Sequence, residues 1–258
     1  MTEDRYYPGY HFRPSINWMN DPNGPIFKNG WYHLFFQYNP NSDVWGDIHW
    51  GHAKSKDLIH WEMCPIAIAP STEAGEVHCY SGCAVDRGDE VRIFYTSIGK
   101  GERGPQTGAQ QWSARCTEED LQKWEKCGKP ALNQKINGKL TITMWRDPFV
   151  WKEDETWYML LSGTHKKKGC IALYQSNDLE SWKFCSLFYQ SEKYELIECP
   201  NIMRFGDKYV LLYSPMEAVH YVIGSIDRKN MKFITDERRY FRLQCWKKRI
   251  LCTKCLYE

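Results

Sequence analysis

The sequence predicts an all-β fold, a β-propeller, from three observations. The motif Asp-Leu-x-x-Trp occurs three times, beginning at Asp57, Asp120 and Asp178. Strand-turn-strand patterns run ahead of these motifs and begin 51 to 66 residues apart. Long runs with the apolar period of an amphipathic helix are scarce. Repeats of this length, each made of about four strands, indicate propeller blades, in which every blade is one antiparallel sheet.

Four units follow one another along the chain. In each unit a first strand ends in a turn, and an apolar second strand follows. The predicted turns are Lys28-Asn29-Gly30, Asp86-Arg87-Gly88-Asp89, Lys152-Glu153-Asp154 and Phe205-Gly206-Asp207. The Asp-Leu-x-x-Trp motif is expected to close each unit, and a degraded copy beginning at Asp227 closes the fourth.

The first strand of each blade lines the axis of a propeller, so equivalent positions in these strands converge. Asp21, Ser81, Asp147 and Glu198 lie ten or eleven residues ahead of successive second strands. We therefore expect these four side chains to occupy the same position in four blades and to meet in one axial pocket. Three of them are carboxylic acids.

Asp21 lies in the stretch Trp18-Met19-Asn20-Asp21-Pro22-Asn23-Gly24. Pro22 restricts the residue before it and favours an extended Asp21, while Asn23-Gly24 is typical of a tight turn. The apolar residues ahead of Asp21 would partly desolvate its carboxylate. The stretch predicts a nucleophile or a ligand held on a stiff backbone, and its alternative interpretation is a surface turn between two strands.

Composition indicates a globular protein of 258 residues that is rich in aromatic side chains, with 12 Trp and 16 Tyr. No apolar run reaches the ~20 residues of a membrane span, and the N-terminal residues do not resemble a signal peptide, so no membrane partner and a cytoplasmic location are expected. The odd number of cysteines, 11, predicts reduced thiols rather than structural disulfides. Residues 237–258 carry a net charge of +5 and the remainder −3, a distribution that does not predict a nucleic-acid partner.

Three carboxylic acids in one pocket repel one another and lose hydration, so their pKa values must spread unless a cation or substrate hydroxyls satisfy them. Two carboxyl groups with separated pKa values are the machinery of glycoside hydrolysis. A divalent metal site is the alternative, because hard cations take carboxylate oxygens. The sequence does not offer further ligands at matching positions, so we expect no metal ion at this site.

Other candidate sites have simpler interpretations. His49 and His52 lie three apart in a predicted strand and should point to opposite faces, which disfavours a shared metal. Cys245, Cys252 and Cys255 lack a fourth ligand at zinc spacing. Lys166-Lys167-Lys168-Gly169 is read as a solvated hairpin turn, with attraction of a phosphorylated sugar as its alternative. Cys199 is expected to point away from the pocket and to pack between blades, because side chains alternate along a strand.

Several motifs together resemble glycoside hydrolase family 32, the invertases, fructanases and sucrose-6-phosphate hydrolases. The residues that carry the resemblance are Trp18–Gly24, Arg146-Asp147-Pro148 and Glu198-Cys199-Pro200, supported by Phe35–Pro40, Trp45-Gly46, His49–Ala53 and Tyr80-Ser81-Gly82. They occur in family order and cover about residues 7–235.

The resemblance implies an enzyme that cleaves terminal β-D-fructofuranosides such as sucrose with retention and without a cofactor. By the resemblance Asp21 is the nucleophile, Glu198 the general acid and base, and Asp147 the stabiliser of the transition state. Residues that match family positions lining the sugar subsite are Asn20, Gln37, Trp45, Ser81 and Arg146. The implied partner is a small-molecule sugar, and the resemblance leaves the oligomeric state open.

Family members carry a five-bladed propeller followed by a C-terminal β-sandwich. A fifth blade counted from Glu198 should begin near residue 250, and the character of the sequence changes from about Glu237. We expect a catalytic propeller of about four blades in residues 1–236, a basic and cysteine-containing tail in 237–258, and no β-sandwich. The competing class is a catalytically weak or inactive propeller that binds fructosides.

Overall fold

A computed structural model describes residues 11–236 and 241–242. Within these residues, the chain forms four antiparallel sheets in the consecutive order of a β-propeller. The first blade contains β1 (Met19–Lys28), β2 (Trp31–Tyr38), β3 (His49–Ser55) and β4 (Trp61–Met63). The second contains β5 (Glu76–Asp86), β6 (Val91–Gly99), β7 (Gln110–Cys116) and β8 (Glu125–Lys126).

The third blade contains β9 (Thr143–Glu153), β10 (Thr156–His165), β11 (Lys168–Ser176) and β12 (Lys183–Gln190). The fourth contains β13 (Glu198–Phe205), β14 (Lys208–Ser214), β15 (His220–Asp227) and β16 (Lys232–Thr235). Short 3-10 helices cover Thr72–Ala74, Gly101–Arg103 and Gln134–Asn137. None of the described helices is long and apolar enough to span a membrane.

The first strands β1, β5, β9 and β13 contact one another in sequence order, as expected for the innermost strands of successive blades. Gly24 on β1 shows how closely they approach. A Cβ at Gly24 would lie 2.7 Å from the backbone nitrogen of Ala84 on β5. The φ of Gly24 is +46°, a value that residues with a side chain rarely adopt. Only glycine fits this contact between the first two blades.

All four predicted turns connect the first and second strands of their blades, which confirms the predicted units. The Asp-Leu-x-x-Trp motifs differ slightly from expectation, because they form the turn that leads into the outermost strand rather than closing the blade. Leu58, Leu121 and Leu179 in these motifs have positive φ values of 63°, 53° and 65°.

The side chains of the motif explain its composition. The Asp178 carboxylate accepts backbone N–H bonds from Glu180 (2.8 Å) and Ser181 (2.7 Å), and Asp57 does the same in the first blade. The indole of Trp124 donates to the carbonyl of Leu121 at 2.7 Å. The aspartate thus satisfies the donors of a tight turn, and in the first two copies the tryptophan satisfies its carbonyl.

Buried apolar side chains fill the seams between blades. Phe35 and Trp50 of the first blade pack with Tyr95 and Trp112 of the second, and a larger cluster joins the second, third and fourth blades. Ion pairs lie at the same seams. Lys28 pairs with Asp86 at 2.8 Å, and the buried Arg92 pairs with Glu180 at 2.5 Å.

Large exposed apolar side chains are confined, among the described residues, to the chain before residue 67 and after residue 204. In the strands and hairpin turns they include Phe27 and Met63 of the first blade and Phe205, Ile223 and Ile234 of the fourth. The second and third blades have a neighbour on either side. The outer faces of the first and fourth blades are therefore the apolar surfaces that the described residues leave open.

Residues Phe241–Arg242 add a short strand, β17, beside β16 on the outer edge of β15. These two residues lie beyond the boundary at residue 236 expected from the sequence. The three cysteines at positions 245, 252 and 255 lie outside the described residues.

Candidate active site

A pocket of about 210 Å³ opens at the axial end of the propeller, where the first strands come together. This volume is below the ~300–1,000 Å³ of pockets that hold drug-sized ligands and suits a single sugar ring. Its lining residues are Asn20, Asp21, Gln37, Trp45, Tyr80, Arg146, Asp147, Glu198, Cys199 and Met216. The pocket is therefore built from all four blades.

Backbone bulges aim the pocket side chains. Asp21, Asp147 and Cys199 each precede a proline and have positive φ values of 37°, 60° and 48°. Each lies where the pairing of its first strand with the second shifts register. Such bulges re-aim side chains and are frequent beside active sites.

The bulges overturn three expectations from the sequence. Asp21 is in the left-handed region rather than extended, and Asn23-Gly24 is an irregularity within β1 rather than a turn between two strands. Cys199 contacts the pocket rather than pointing away from it, because the extra residue breaks the alternation of β13. Cys199, not Glu198, is the counterpart of Asp21 and Asp147, so Glu198 lies one residue before the equivalent position.

Asp21 is held by two polar side chains from different strands. Its Oδ2 accepts a hydrogen bond from Ser81 Oγ at 2.6 Å and a longer one from Gln37 Nε2 at 3.5 Å. Gln37 Nε2 also donates to Ser81 Oγ at 2.7 Å. These donors stabilise an ionised carboxylate and fix its orientation. Because Asp21 makes these contacts, the structure does not support the alternative interpretation of this stretch as a surface turn.

Asp147 is buried and is oriented by the blades on both sides. Its backbone N–H donates to Thr96 Oγ1 of the second blade at 2.9 Å. Its Oδ2 accepts from the backbone N–H of Cys199 in the fourth blade at 2.9 Å, and the Cys199 thiol lies 3.6 Å from the same oxygen. Asp147 is therefore held in place through both its backbone and its carboxylate.

Glu198 has a raised pKa. Burial, followed by the negative charge of Asp147, raises the pKa of Glu198 to about 7, and Asp21 adds to the effect. Arg146 opposes the shift, since its guanidinium lies 3.3 Å from Glu198 Oε1. Near neutral pH this carboxyl group can both give and take a proton.

An aromatic rim borders the pocket. Trp45 is 52% exposed, and its ring lies 5.0 Å from that of His78 and 6.4 Å from that of Tyr80. Met216 lines the pocket from the loop after β14. Tyr80, Met216 and Cys199 were not predicted as site residues, although Tyr80 adjoins Ser81 and could have been found from that position.

All eight residues predicted for the site come together in the structure, seven as lining residues and Ser81 through its bond to Asp21. The other candidates do not join them. Lys166 and Lys167 form the β10–β11 turn and do not line the pocket. His52 is buried against His33 rather than beside His49. Within the described part of the chain, no three or more His, Cys, Asp or Glu side chains are arranged so that they could hold a metal ion.

The chain is similar to known proteins of one family. A profile of the Glycosyl hydrolases family 32 N-terminal domain matches residues 11–246. A sucrose-6-phosphate hydrolase of Zymomonas mobilis is 36% identical over 231 residues, covering 83% of this chain and 44% of that protein. A raffinose invertase of Escherichia coli is 35% identical over 214 residues, covering 81% of this chain and 44% of that protein.

Solved structures show the same similarity. A variant of the Bombyx mori GH32 β-fructofuranosidase in complex with sucrose has a TM-score of 0.80 and 33% identity, covering 93% of this chain and 53% of that one. The sucrose-6-phosphate hydrolase of Lactobacillus gasseri has a TM-score of 0.81 and 28% identity, with coverage of 93% and 52%. The chain thus spans about half the length of the relatives it matches.

Proposed function

Because the chain belongs to glycosyl hydrolase family 32, we propose that it cleaves terminal β-D-fructofuranosides such as sucrose by a retaining double displacement. The observation that carries the proposal is the pairing, in one sugar-sized pocket, of a hydrogen-bonded Asp21 with a Glu198 whose pKa is about 7. One carboxyl group suited to remain ionised and one suited to exchange a proton are what this reaction requires.

In the first displacement, an oxygen of Asp21 attacks the anomeric carbon of the fructosyl unit. The bond from that carbon to the bridging oxygen breaks, and Glu198 donates its proton to the departing oxygen. The products of this step are a fructosyl ester of Asp21 and the released sugar, with Glu198 left ionised. In the second displacement, Glu198 accepts a proton from water, the water oxygen bonds to the anomeric carbon, and the Asp21 carboxylate leaves.

Asp147 is proposed to bind the fructosyl hydroxyls and to stabilise the positive charge that develops on the ring. Its double anchoring supports this role, because a preorganised charge stabilises the transition state without having to reorient. Asn20 and Arg146 are proposed to bind the same ring. Asn20 Oδ1 and Arg146 Nε are buried at the pocket and have no hydrogen-bond partner among the described residues, so substrate hydroxyls or water could satisfy them.

Trp45 is proposed to border the sugar with its indole face, since sugars present C–H groups that pack on aromatic rings. Half of the Trp45 surface is exposed beside the pocket, which leaves room for such a contact. The mechanism proposed here uses carboxyl groups only and needs no cofactor.

The proposed setting is a reducing compartment such as the cytoplasm. It is supported by six cysteines of the described residues that are free thiols, Cys64, Cys79, Cys116, Cys127, Cys170 and Cys185. A relative from Zea mays is a cell wall isozyme, so membership of the family does not by itself fix the compartment.

The alternative is a propeller that binds fructosides and turns them over weakly or not at all. The exposed apolar faces of the first and fourth blades favour keeping this alternative, because a site at an open seam is less rigidly held.

The Asp21→Asn variant tests the proposal. The amide has the size of the carboxylate but cannot form the ester, so sucrose turnover should fall by about 10⁴-fold or more. Circular dichroism and the melting temperature should stay close to those of the parent. Asp43→Asn, on an exposed loop, is the matched control. Turnover by Asp21→Asn within tenfold of the parent would reject Asp21 as the nucleophile.

A further inference from the structure

Asp147 depends on a set of hydrogen bonds that reach it from the second blade. Its N–H donates to Thr96 Oγ1 at 2.9 Å, and Thr96 Oγ1 in turn donates to Gln111 Oε1 at 2.7 Å. Gln111 Nε2 donates to the carbonyl of Trp145 at 3.3 Å. The bonds leave β9 at Asp147, cross β6 and β7, and return to β9 two residues earlier.

The direction of every bond is fixed by chemistry. A backbone N–H can only donate, so Thr96 must accept from Asp147 and has its own proton left for Gln111. A backbone carbonyl can only accept, so Gln111 must turn its NH₂ toward Trp145 and its oxygen toward Thr96. The arrangement therefore requires a hydroxyl at position 96 and an amide at position 111.

Burial makes the loss of any of these hydrogen bonds costly. The side chains of Thr96 and Gln111 are completely inaccessible to solvent, and Asp147 is 4% exposed. A buried donor or acceptor that loses its partner has no water to replace it. Trp145, which accepts the last of these bonds, is itself held in place, since it is fully buried and its indole Nε1 donates to Tyr174 Oη at 3.0 Å.

The bonded segment is also the strained one. Asp147 has a φ of +60°, which is unusual for a residue with a side chain and persists only where surrounding contacts hold it. The Thr96 bond attaches to the backbone of that residue. If it were lost, the bulge could relax and Asp147 would turn away from the pocket.

We propose that Thr96 and Gln111 are positioning residues, which hold the bulge at Asp147 and thereby aim its carboxylate at the fructosyl unit. The inference rests on the proposed function for its consequence, the effect on substrate. The hydrogen-bonded arrangement itself can be tested in the protein without substrate.

The substrate-free test is hydrogen exchange at the Asp147 amide, measured by NMR in the parent, Thr96→Val and Thr96→Ser. Valine matches threonine in shape and removes the acceptor, so exchange should be at least about tenfold faster than in the parent. Serine keeps the hydroxyl and should restore slow exchange. An unchanged exchange rate in Thr96→Val would overturn the proposal, whether or not the protein is active.

The functional test is sucrose turnover and fructose binding by the same variants. A displacement of about 1 Å costs up to 10²-fold in rate, so kcat/KM of Thr96→Val should fall by 10- to 100-fold and recover in Thr96→Ser. Thr164→Val is the matched control, since it removes a hydroxyl bond to the Glu195 carbonyl away from the pocket. Faster exchange with turnover within twofold of the parent would show a structural role only and would overturn the positioning role.

A double-mutant cycle separates positioning from stability. If Thr96 acts through Asp147, Thr96→Val should weaken fructose binding in the parent but add little in an Asp147→Asn background. Equal losses in both backgrounds would contradict action through Asp147. A parent that neither binds nor cleaves fructosides would reject the proposed function, and the exchange experiment would still decide the arrangement of bonds.

Discussion

At the residue scale, the carboxyl group proposed as nucleophile and the one proposed as general acid and base are distinguished by their surroundings rather than by their type. Asp21 accepts hydrogen bonds from neutral donors, whereas Glu198 is buried near other negative charge. Hydrogen bonds to a carboxylate favour its ionised form, and burial with like charge favours the protonated form. The two roles therefore follow from the strands that surround each residue.

The raised pKa of Glu198 predicts the alkaline limb of the pH profile. Glu198 must be protonated to donate, so kcat/KM should fall above about pH 7, where this group loses its proton. Burial is the main cause, and Arg146 opposes it. Replacing Arg146 by Met should move the limb to higher pH. A rate that is flat from pH 5 to 9, measured with sucrose, would contradict this assignment.

Glu198→Gln should discriminate between substrates. Loss of a general acid lowers the rate by about 10²- to 10⁴-fold when the leaving group needs a proton. Sucrose should show this full loss, and a nitrophenyl fructoside, whose leaving group is a weak base, should show a much smaller one. Similar losses on both substrates would argue against Glu198 as the acid.

A buried histidine pair predicts a second pH effect, on stability rather than on rate. His33 Nδ1 and His52 Nε2 lie 2.9 Å apart within the first blade, and both rings are buried. Burial, with the positive charge of Lys54, lowers the pKa of His33 to about 4. Burial, with His33, lowers the pKa of His52 to about 3. The unfolded chain therefore binds protons more readily than the folded one between pH 6.5 and about 4.

The direction of the pH dependence of stability follows from that difference in proton binding. The contribution of this histidine pair to stability is fully present above pH 6.5 and is lost as the pH drops, by about 2 kcal/mol for each histidine at pH 5. A His33→Gln/His52→Asn variant keeps polar side chains but cannot take up these protons, so its stability should fall less than that of the parent between pH 7 and pH 5. Urea unfolding of both proteins at pH 7 and pH 5 measures the two slopes. Equal slopes would contradict the assignment.

At the scale of elements, the Asp-Leu-x-x-Trp turns predict a local stability effect. Asp178→Ala removes the acceptor of two backbone N–H bonds next to the left-handed Leu179. Because the aspartate is largely exposed, we expect a loss of only about 1 kcal/mol, or 2–4 °C in melting temperature. Asp207→Ala, in an exposed hairpin turn of the fourth blade, is the control and should melt with the parent. A melting temperature of Asp178→Ala equal to that of the control would contradict the role of this turn.

The sequence predicted the blades well because their signals are local and repeated. A turn between apolar runs and an Asx-capped motif depend on a few adjacent residues, and four copies reinforce one another. Four side chains at the pocket were also predicted in this way, since the first strands of a propeller must converge at its axis. Position along the strand and membership of the axial strand were enough to bring Asp21, Ser81, Asp147 and Glu198 together.

The bulges were not predictable in the same way. Pro22 suggests an extended Asp21, and strand alternation suggests that Cys199 points away from the pocket, yet both residues have positive φ. A bulge adds one residue to a strand but has no signature in the amino-acid composition, and it changes which side chain faces the pocket. Contacts from other blades hold it, as Thr96 does for Asp147, and these contacts are far apart in the sequence.

At the scale of the whole molecule, the apolar faces of the first and fourth blades predict self-association. Phe27 and Met63 on one blade and Ile223 and Ile234 on the other are 38–58% exposed. Exposed apolar surface drives association unless another element covers it. The 258-residue chain should therefore form oligomers in light scattering, increasingly so at higher concentration.

An Ile223→Lys/Ile234→Lys variant should shift the chain toward monomer, because both substitutions place charge on the open face of the fourth blade. Val44→Lys, on a loop of the first blade, is the matched control and should leave association unchanged. A parent that remains a monodisperse monomer at all concentrations would contradict the prediction of self-association.

The stereochemistry of fructosyl transfer tests retaining fructoside cleavage most directly. With sucrose as donor in water containing methanol, a double displacement through Asp21 should yield methyl β-D-fructofuranoside, identified by NMR before any isomerisation. The Asp21→Asn variant should form none. Formation of the α-anomer by the parent would contradict the double displacement, and full methanolysis by Asp21→Asn would contradict the assignment of the nucleophile.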